Sequence, residues 1–180
     1  LLATVDELKT CRVTPDQLWT ARTESGREEG DKLADLSLIY GAYEAMTARQ
    51  GADPRDKLTR LAEVLRREDW ARGKDFYLDG FTDLTPQERQ VVDVLLGKCS
   101  SLTVALTCDK LEEDQGGAGI FSPARRTARQ LLRLAKDGGV PAQVAVREEH
   151  QGVRTPPLAH LERELFSPQP RPFLEDAEGL

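Results

Sequence analysis

Long apolar runs are absent from this sequence. No hydrophobic stretch approaches the roughly 20 residues that a membrane-spanning helix needs, so we expect no contact with a membrane. The beginning of the chain lacks the basic and then apolar segments of a secretion signal. It also lacks an initiator methionine, and residues 1–8 have the pattern of a helix interior. We therefore expect the chain to be an internal piece of a longer protein.

Histidine and cysteine are scarce. The two histidines, His150 and His160, have no partners at metal-ligand spacing, and the three cysteines, Cys11, Cys99 and Cys108, contain no Cys-x-x-Cys pair. We therefore expect neither a zinc site nor an iron–sulfur site in this chain. An odd number of widely spaced cysteines favours reduced thiols over a disulfide framework, which predicts a cytoplasmic protein.

The charge balance is acidic, with 31 Asp and Glu against 25 Lys and Arg and a net charge of −6. Domains that bind nucleic acid over their whole surface are usually basic, because much of their affinity comes from neutralising phosphates. The composition argues against such a domain but leaves room for a local basic face. The 39% hydrophobic content is typical of a folded protein rather than of a disordered tail.

Helical patterns fill the first seventy residues. Thr14-Pro15 places a capping hydroxyl before a proline and predicts the start of a short helix. Apolar residues at three- and four-residue spacing predict a long helix over residues 31–50, and Asp53-Pro54 predicts the start of another. We expect residues 1–71 to form a helical subdomain.

Strands alternate with helices after this point. Residues 76–78, 102–106 and 142–146 have strand patterns, and Thr85-Pro86 and Ser122-Pro123 predict the starts of the helices between them. This order predicts an α/β fold over residues 72–150, with a parallel sheet and helices against it. Residues 151–180 are expected to form a terminal helix and a proline-rich linker.

The most informative stretch is FYLDGFTDLTPQ at residues 76–87. In nucleotide-driven motors, an Asp after a buried strand helps to hold magnesium and an adjacent Glu polarises the attacking water. Asp79 has the position for the first role, but Gly80 has no side chain for the second. Asp79 could instead accept hydrogen bonds in the turn after the strand, which is the alternative we favour, and Asp83 is predicted to be a turn or helix-entry residue.

This stretch resembles the second conserved motif of the helicases that include the UvrD and RecB motors. Asp79, Phe81, Asp83 and Pro86 are in register with it, and Gly80 is the main departure because it replaces the catalytic Glu. The next motif of these motors is degenerate too, since residues 107–110 read TCDK. The ordered combination of KLADL (32–36), DGFT (79–82), TPQE (85–88), VALT (104–107) and FSP (121–123) is typical of the AddB family.

Members of that family are B subunits of AddAB helicase-nucleases, which process broken DNA ends for recombination. The resemblance implies a partial RecA-like core after a helical subdomain, DNA as a ligand and an AddA-type motor and nuclease subunit as the partner in a heterodimer. It also implies ATP, magnesium and an iron–sulfur cluster in the full complex. This chain has no Gly-x-x-x-x-Gly-Lys loop and too few cysteines for such a cluster, so we expect an ATP-dependent helicase and exodeoxyribonuclease as the parent complex and no working active site here.

Several side chains are candidates for DNA contact. A basic stripe is expected on the outer side of the helix after Ser122-Pro123, where a solvated face is the commoner explanation; its members are Arg125, Arg126, Arg129, Arg133 and Lys136. Trp19 and Trp70 could stack on exposed bases, whereas we expect Tyr40 and Tyr43 in the core. The glycine-rich residues 116–119 are predicted to form a loop rather than a phosphate cradle.

Two other functions fit the sequence. One is a weak ATPase whose phosphate loop lies upstream and whose catalytic base is Glu88, although a helix-capping role explains Glu88 adequately. The other is a protein-interaction module in which the helices bind a partner and the α/β part is a platform. The sequence does not separate this second alternative from a DNA-holding scaffold.

Overall fold

The computed structural model describes residues 2–51, 53–108, 111, 119–146, 155–165, 167 and 169–174. Within them, no helix is long and apolar enough to cross a bilayer. The elements, in chain order, are α1 (Leu2–Thr10), α2 (Pro15–Ala21), α3 (Arg27–Gln50), a 3-10 turn (Pro54–Asp56), α4 (Lys57–Arg67), β1 (Asp75–Leu78), α5 (Pro86–Leu96), β2 (Ser101–Val104), α6 (Ser122–Asp137) and α7 (Pro156–Glu164).

Two helices begin with reciprocal caps. At α2, the Thr14 hydroxyl accepts the Gln17 N–H at 3.2 Å, and the Gln17 side chain accepts the Thr14 N–H at 2.9 Å. At α5, the Thr85 hydroxyl accepts the Glu88 N–H at 3.3 Å, and the Glu88 carboxylate accepts the Thr85 N–H at 2.7 Å. These bonds satisfy N–H groups that have no partner within the helix, which confirms the capping box predicted at Thr85.

Helices α1, α2 and α3 share one core. Val5, Leu18 and Tyr40 are buried in it, and partly buried residues from the same segments pack around them, among them Leu33 and Tyr43. The core positions expected for the two tyrosines are therefore confirmed. Helix α3 begins at Arg27, four residues before the apolar pattern predicts, and Glu28 and Glu29 in its first turn suit the positive end of the helix dipole.

A parallel β-α-β unit follows the helices. Strands β1 and β2 pair in parallel, with Asp75 opposite Ser101 and Leu78 opposite Val104, and α5 connects them. Helix α5 packs against α4 around a second core cluster, which consists of Ala62, Leu65, Ala71, Val94 and Leu95. The predicted strands at residues 76–78 and 102–106 are thus confirmed to within two residues at their ends. The architecture is a mixed α/β fold with a small parallel sheet.

The third predicted strand is wrong. Residues 141–146 are described but form no strand, and the side chains of Val144 and Val146 are 53% and 69% exposed. The alternating pattern Ala142, Val144, Val146 suits a pleated strand, but such a strand also needs a partner backbone and a surface that covers its apolar face. No described segment supplies either to these residues.

Two side chains of the α5 segment bind the 3-10 turn and α4. Gln87 on α5 is buried, and its amide donates to the Arg55 carbonyl at 3.1 Å and to the Thr59 hydroxyl at 3.3 Å. Lys98, just after α5, donates to the carbonyls of Arg66 at 2.6 Å and Glu68 at 3.0 Å. A cation suits the C-terminal end of α4, so Lys98 stabilises the position of α4 beside α5.

An ion-pair network anchors α1. The Lys9 ammonium is nearly fully buried and donates to both carboxylate oxygens of Asp56, at 2.9 and 2.8 Å. It also lies 2.5 Å from a Glu44 oxygen and 3.3 Å from an Asp53 oxygen. The Lys9 network, which we define as these four residues, joins α1 to α3 and to the 3-10 turn. Removing one partner of a buried ion pair is costly because it leaves the other charges without compensation.

The network shifts the pKa values of its members. Burial alone would lower the pKa of Lys9, but its hydrogen bonds to Asp56 and Glu44 raise that pKa above the ordinary value. Burial alone would raise the pKa of Asp53, but hydrogen bonds from the Arg55 N–H, the Tyr43 hydroxyl and Lys9 lower it to about 2. The Tyr43 hydroxyl donates to Asp53 at 2.8 Å, and this bond raises the pKa of Tyr43. These shifts favour the charged forms of Lys9 and Asp53 and the neutral, donating hydroxyl of Tyr43.

We expect Lys9→Ala to lower the free energy of unfolding by about 3 kcal/mol, because it removes the buried ammonium that compensates the buried Asp53 carboxylate and the partly exposed carboxylates of Asp56 and Glu44. Urea unfolding followed by circular dichroism measures this change. Lys32→Ala is the matched control, because among the described residues Lys32 pairs only with Glu28, four residues away, and both side chains are more than 70% exposed. That control should cost about 0.5 kcal/mol or less. Equal losses in the two variants would contradict a stabilising role for the network.

The depressed pKa of Asp53 predicts an acid-sensitive fold. A carboxyl whose pKa is lower in the folded state stabilises the fold above its unfolded pKa, 3.8, and that contribution is lost as the pH falls towards about 2. We expect the urea midpoint of the unaltered chain to drop between pH 5 and pH 2.5 by more than that of Asp53→Asn, which cannot titrate. Parallel pH profiles of the two proteins would show that Asp53 does not contribute.

Candidate nucleic-acid interface

The turn after β1 contains the stretch that resembles a motor motif. Asp79 follows the strand directly, is exposed, and accepts the N–H of Gly80 at 2.8 Å through its own carboxylate. This contact is the turn role that we favoured for Asp79 over a magnesium-binding one. Gly80 has a φ of +79°, in the left-handed region where a side chain is strained. The backbone therefore favours glycine at the position where the motor motif has its Glu.

Residues 81–84 continue the turn and connect it to α6. Phe81 is half-buried, and the Asp83 carboxylate accepts the Leu84 N–H at 2.8 Å. The Thr127 hydroxyl on α6 is fully buried and lies 3.3 Å from both the Thr82 carbonyl and the Asp83 carboxylate. Asp83 is thus a turn residue two positions before the cap of α5, as predicted. The structure brings it next to α6, the helix that carries the predicted basic stripe.

A cleft of about 330 Å³ lies where the end of α1, the start of α5 and α6 meet. Its lining residues are Thr10, Cys11, Asp83, Leu84, Thr85, Pro86, Arg89, Arg126 and Gln130. Arg89 donates to the Gln130 side chain at 3.2 Å, which fixes its guanidinium between α5 and α6. Arg126 was predicted from the sequence as a DNA contact, but Arg89 was not. Only its place one turn after the Thr85 cap, on the flank of the apolar face, could have pointed to it.

Four of the five predicted stripe residues are exposed on α6. The α6 stripe, as we define it, consists of Arg126, Arg129, Arg133 and Lys136. At about 100° per residue these positions share an arc of about 80° on the helix surface. Four positive charges on one narrow face of a chain with net charge −6 form the local basic face that the composition allows.

Arg125 is a correction to the predicted stripe. Its side chain is 2% exposed and its guanidinium lies 3.4 Å from the Ser122 hydroxyl as a hydrogen-bond donor. At about 100° per residue, Arg125 lies about 80° from the buried Ala135 and so belongs to the flank of the buried face. The first turn of α6 packs closely enough to bury Ala124 and Thr127 as well. Arg125 is therefore a packing residue in this fold.

The two tryptophans differ in their surroundings. The ring of Trp19 is 44% exposed, but the Arg22 guanidinium lies 3.8 Å from its centroid and covers one face. The ring of Trp70 is 57% exposed and forms an edge contact with Phe76 at 5.8 Å between centroids. The Arg22 cation stabilises the position of the Trp19 ring, and the edge contact with Phe76 stabilises that of the Trp70 ring. Trp70 presents the larger open surface.

The residues that could hold a metal or cofactor fit such a group poorly. At the motif turn, Asp79 has no acidic neighbour at position 80, and the Glu88 carboxylate is engaged in the cap of α5. Among the described residues, no three His, Cys, Asp or Glu side chains come together as metal ligands. The thiols of Cys11, Cys99 and Cys108 are free, and burial raises the pKa of Cys99. His150 and residues 116–118 of the glycine-rich segment lie outside the described residues.

The family model described as "ADDB, N-terminal" matches residues 1–162 of this chain. The chain belongs to the AddB family. This match covers both the helical residues and the β-α-β unit, and it confirms the resemblance based on the motif turn and the phrases around it.

Curated relatives agree with the AddB assignment. Proteins named as the B subunit of an ATP-dependent helicase/deoxyribonuclease match from Thermoanaerobacter sp. (strain X514), at 31% identity over 98% of this chain, and from Desulforudis audaxviator and Moorella thermoacetica, at 36% identity over 100% of it. The matched region is 16% of the first two relatives and 17% of the third. This AddB chain thus spans about a sixth of the length of the curated relatives it matches.

We expect Gly80→Ala to lower the free energy of unfolding by about 1–2 kcal/mol, because the new Cβ would be forced into the left-handed region. Urea unfolding measures the change. Gly97→Ala is the matched control: Gly97 has a φ of −82°, and a Cβ there would meet only the Val94 carbonyl, at an ordinary 3.8 Å. The control should change stability by about 0.5 kcal/mol at most. A Gly80 variant as stable as the control would show that the turn relaxes freely.

Proposed function

We propose that this chain is a non-catalytic, DNA-holding segment of the B subunit of a helicase/deoxyribonuclease, which acts in the processing of double-strand-break ends. The observation that carries the proposal is the exposed α6 stripe beside a motor motif whose catalytic position is Gly80. Relatives that share 31–36% identity with the chain are named as subunits of such an enzyme. The names of these relatives indicate the enzyme class. The residues of this chain support the proposal that the segment holds DNA and does not catalyse the reaction.

Three residues, Asp79, Gly80 and Glu88, leave this segment without a group that could activate water. Hydrolysis of a nucleotide needs a carboxylate that orients water, and Gly80 cannot provide one. Asp79 uses one carboxylate oxygen to accept the adjacent backbone N–H. Glu88, the alternative base, accepts both the N–H and the hydroxyl of Thr85. A carboxylate that caps its own helix is poorly placed to take a proton from water.

The charge and the position of the α6 stripe support a DNA-holding role. The α6 stripe presents four exposed cations, and lysine and arginine side chains of this kind bind phosphates. Arg126 belongs both to the stripe and to the cleft, where Arg89 adds a further cation. A DNA backbone along α6 would therefore pass the mouth of the cleft.

The finer assignments follow from the same proposal. The β-α-β unit corresponds to part of a RecA-like core at residues 72–150, after the helical subdomain at residues 1–71 and before the terminal helix and linker at residues 151–180. An AddA-type motor subunit would complete a cytoplasmic heterodimer. ATP, magnesium and an iron–sulfur cluster would belong to parts of the complex other than this segment.

The test is binding of a fluorescent single-stranded oligonucleotide as a function of salt. We expect the variant with Arg126, Arg129 and Arg133 changed to Ala to bind roughly ten-fold or more weakly at low salt. Its plot of log affinity against log salt should flatten by about 0.7 for each phosphate that the variant no longer binds.

The matched control changes Arg27, Lys32 and Arg49 to Ala. These are three exposed cations of α3, so the control alters the net charge equally. It should retain most of the affinity. Equal weakening in both triple variants would reduce the effect to net charge and overturn an interface on α6.

A protein-binding role is the second candidate, and one observation favours it. Helix α3 exposes the apolar side chains of Leu38, Ile39 and Met46, between 44% and 64% of their surface. Contiguous exposed apolar surface often marks a protein interface. A stably folded chain that binds no oligonucleotide at low salt would favour this function over DNA holding.

A further inference from the structure

A second basic surface surrounds the exposed tryptophan at the end of α4. Residues 66–74 read RREDWARGK, with four cationic side chains against two acidic ones. We name it the Trp70 surface, and it consists of Arg66, Arg67, Trp70, Arg72 and Lys74. Each of these side chains is exposed. The segment is positive although the chain as a whole carries a net charge of −6.

Trp70 is held in place by its neighbours and is still exposed to solvent. Ala71, the next residue, is fully buried in the core between α4 and α5, and the ring of Phe76 meets Trp70 edge-on at 5.8 Å with 60° between the planes. The Lys74 ammonium lies 4.4 Å from the ring centroid and also donates to the Trp70 carbonyl. More than half of the Trp70 side chain nevertheless remains accessible. A rigid and exposed aromatic ring loses little conformational entropy when a flat ligand stacks on it.

The acidic side chains of the segment are partly neutralised. Asp69 lies 3.5 Å from the Arg72 guanidinium and 3.8 Å from the Lys98 ammonium. Lys98 also satisfies the carbonyls of Arg66 and Glu68, so the negative end of α4 is compensated locally. Arg67 lies 3.8 Å from the Glu63 carboxylate, and within the described part of the chain Arg66 forms no ion pair. The pairs of Arg67 and Arg72 are at least half exposed and therefore weak, so these cations can exchange their carboxylates for an anionic partner.

We propose that the Trp70 surface binds single-stranded DNA, with an unpaired base stacked on Trp70 and phosphates on Arg66, Arg67 and Arg72. Stacking on an aromatic ring needs a base that is not paired in a duplex, and cations beside the ring fit the phosphates that flank it. A protein partner could also use a tryptophan, but the excess of exposed cations around it favours a polyanion. This inference deepens the proposed DNA-holding function and rests on it.

The experiment uses the fluorescence of Trp70 itself. The full 180-residue chain with Trp19→Phe has Trp70 as its only tryptophan. We expect its emission to be quenched in a saturable way by a thymidine 12-mer at low salt. An abasic 12-mer of equal charge should quench less and bind more weakly, because it offers phosphates without bases.

Variants then separate stacking from charge. In the unaltered background, Trp70→Ala should weaken binding of the thymidine 12-mer roughly ten-fold and bring it close to that of the abasic 12-mer, whereas Trp70→Phe should retain most of the affinity. Trp19→Ala is the matched control and should bind like the unaltered chain. A thermal melt shows whether Trp70→Ala is folded, and if it is not, the comparison of the thymidine and abasic 12-mers on the unaltered chain decides.

The α6 variants distinguish this inference from the proposed function. Weaker binding by the α6 triple variant, together with no effect of Trp70→Ala, would overturn the Trp70 surface and leave DNA holding by α6 intact. Equal affinity of the unaltered chain for the thymidine and abasic 12-mers would overturn stacking. No binding by the unaltered chain would overturn both proposals, and it would leave the Trp70 surface as a site for a protein.

Discussion

The fold depends on the burial of one face of α5 against α4. Val94 and Leu95 on α5 meet Ala62 and Leu65 on α4, and removing such side chains from water contributes about 1.5–3 kcal/mol for each large one. Because β1 and β2 are parallel, they can pair only across a connecting element such as α5. The same helix carries Gln87 to the 3-10 turn and Arg89 to α6. The 3-10 turn, α6 and β2 each contact this pair of helices.

The motif turn keeps its geometry without a carboxylate at position 80. The turn is held by backbone N–H groups that donate to Asp79 and Asp83, and by the Thr127 hydroxyl from α6. None of these contacts needs a carboxylate at position 80. The shape is therefore maintained by hydrogen bonds, and the residue that would act on water is dispensable to the fold. Glycine at position 80 is therefore compatible with every contact that holds the turn.

Features that depend on adjacent residues could be predicted from the sequence, whereas features that depend on distant segments could not. The caps at Thr14 and Thr85 and the two paired strands were predictable because each depends on a few adjacent residues. The strand expected at residues 142–146 failed because pairing depends on a partner elsewhere in the chain. Periodicity placed most of the α6 stripe correctly, but Arg125 lies at the border of the buried face, where the outcome is decided by what packs there. The place of Arg89 in the cleft could not be predicted, because it depends on where α6 packs against α5.

The Lys9 network has a consequence for the order of folding. Lys9 and Asp56 are separated by 47 positions in the chain, so their ion pair is a long-range contact. The Lys9 ammonium can be paired fully only after α3 and the 3-10 turn have come together and created its acidic pocket. During synthesis these partners would leave the ribosome after Lys9, so the Lys9 contacts would be among the last in the helical segment to form.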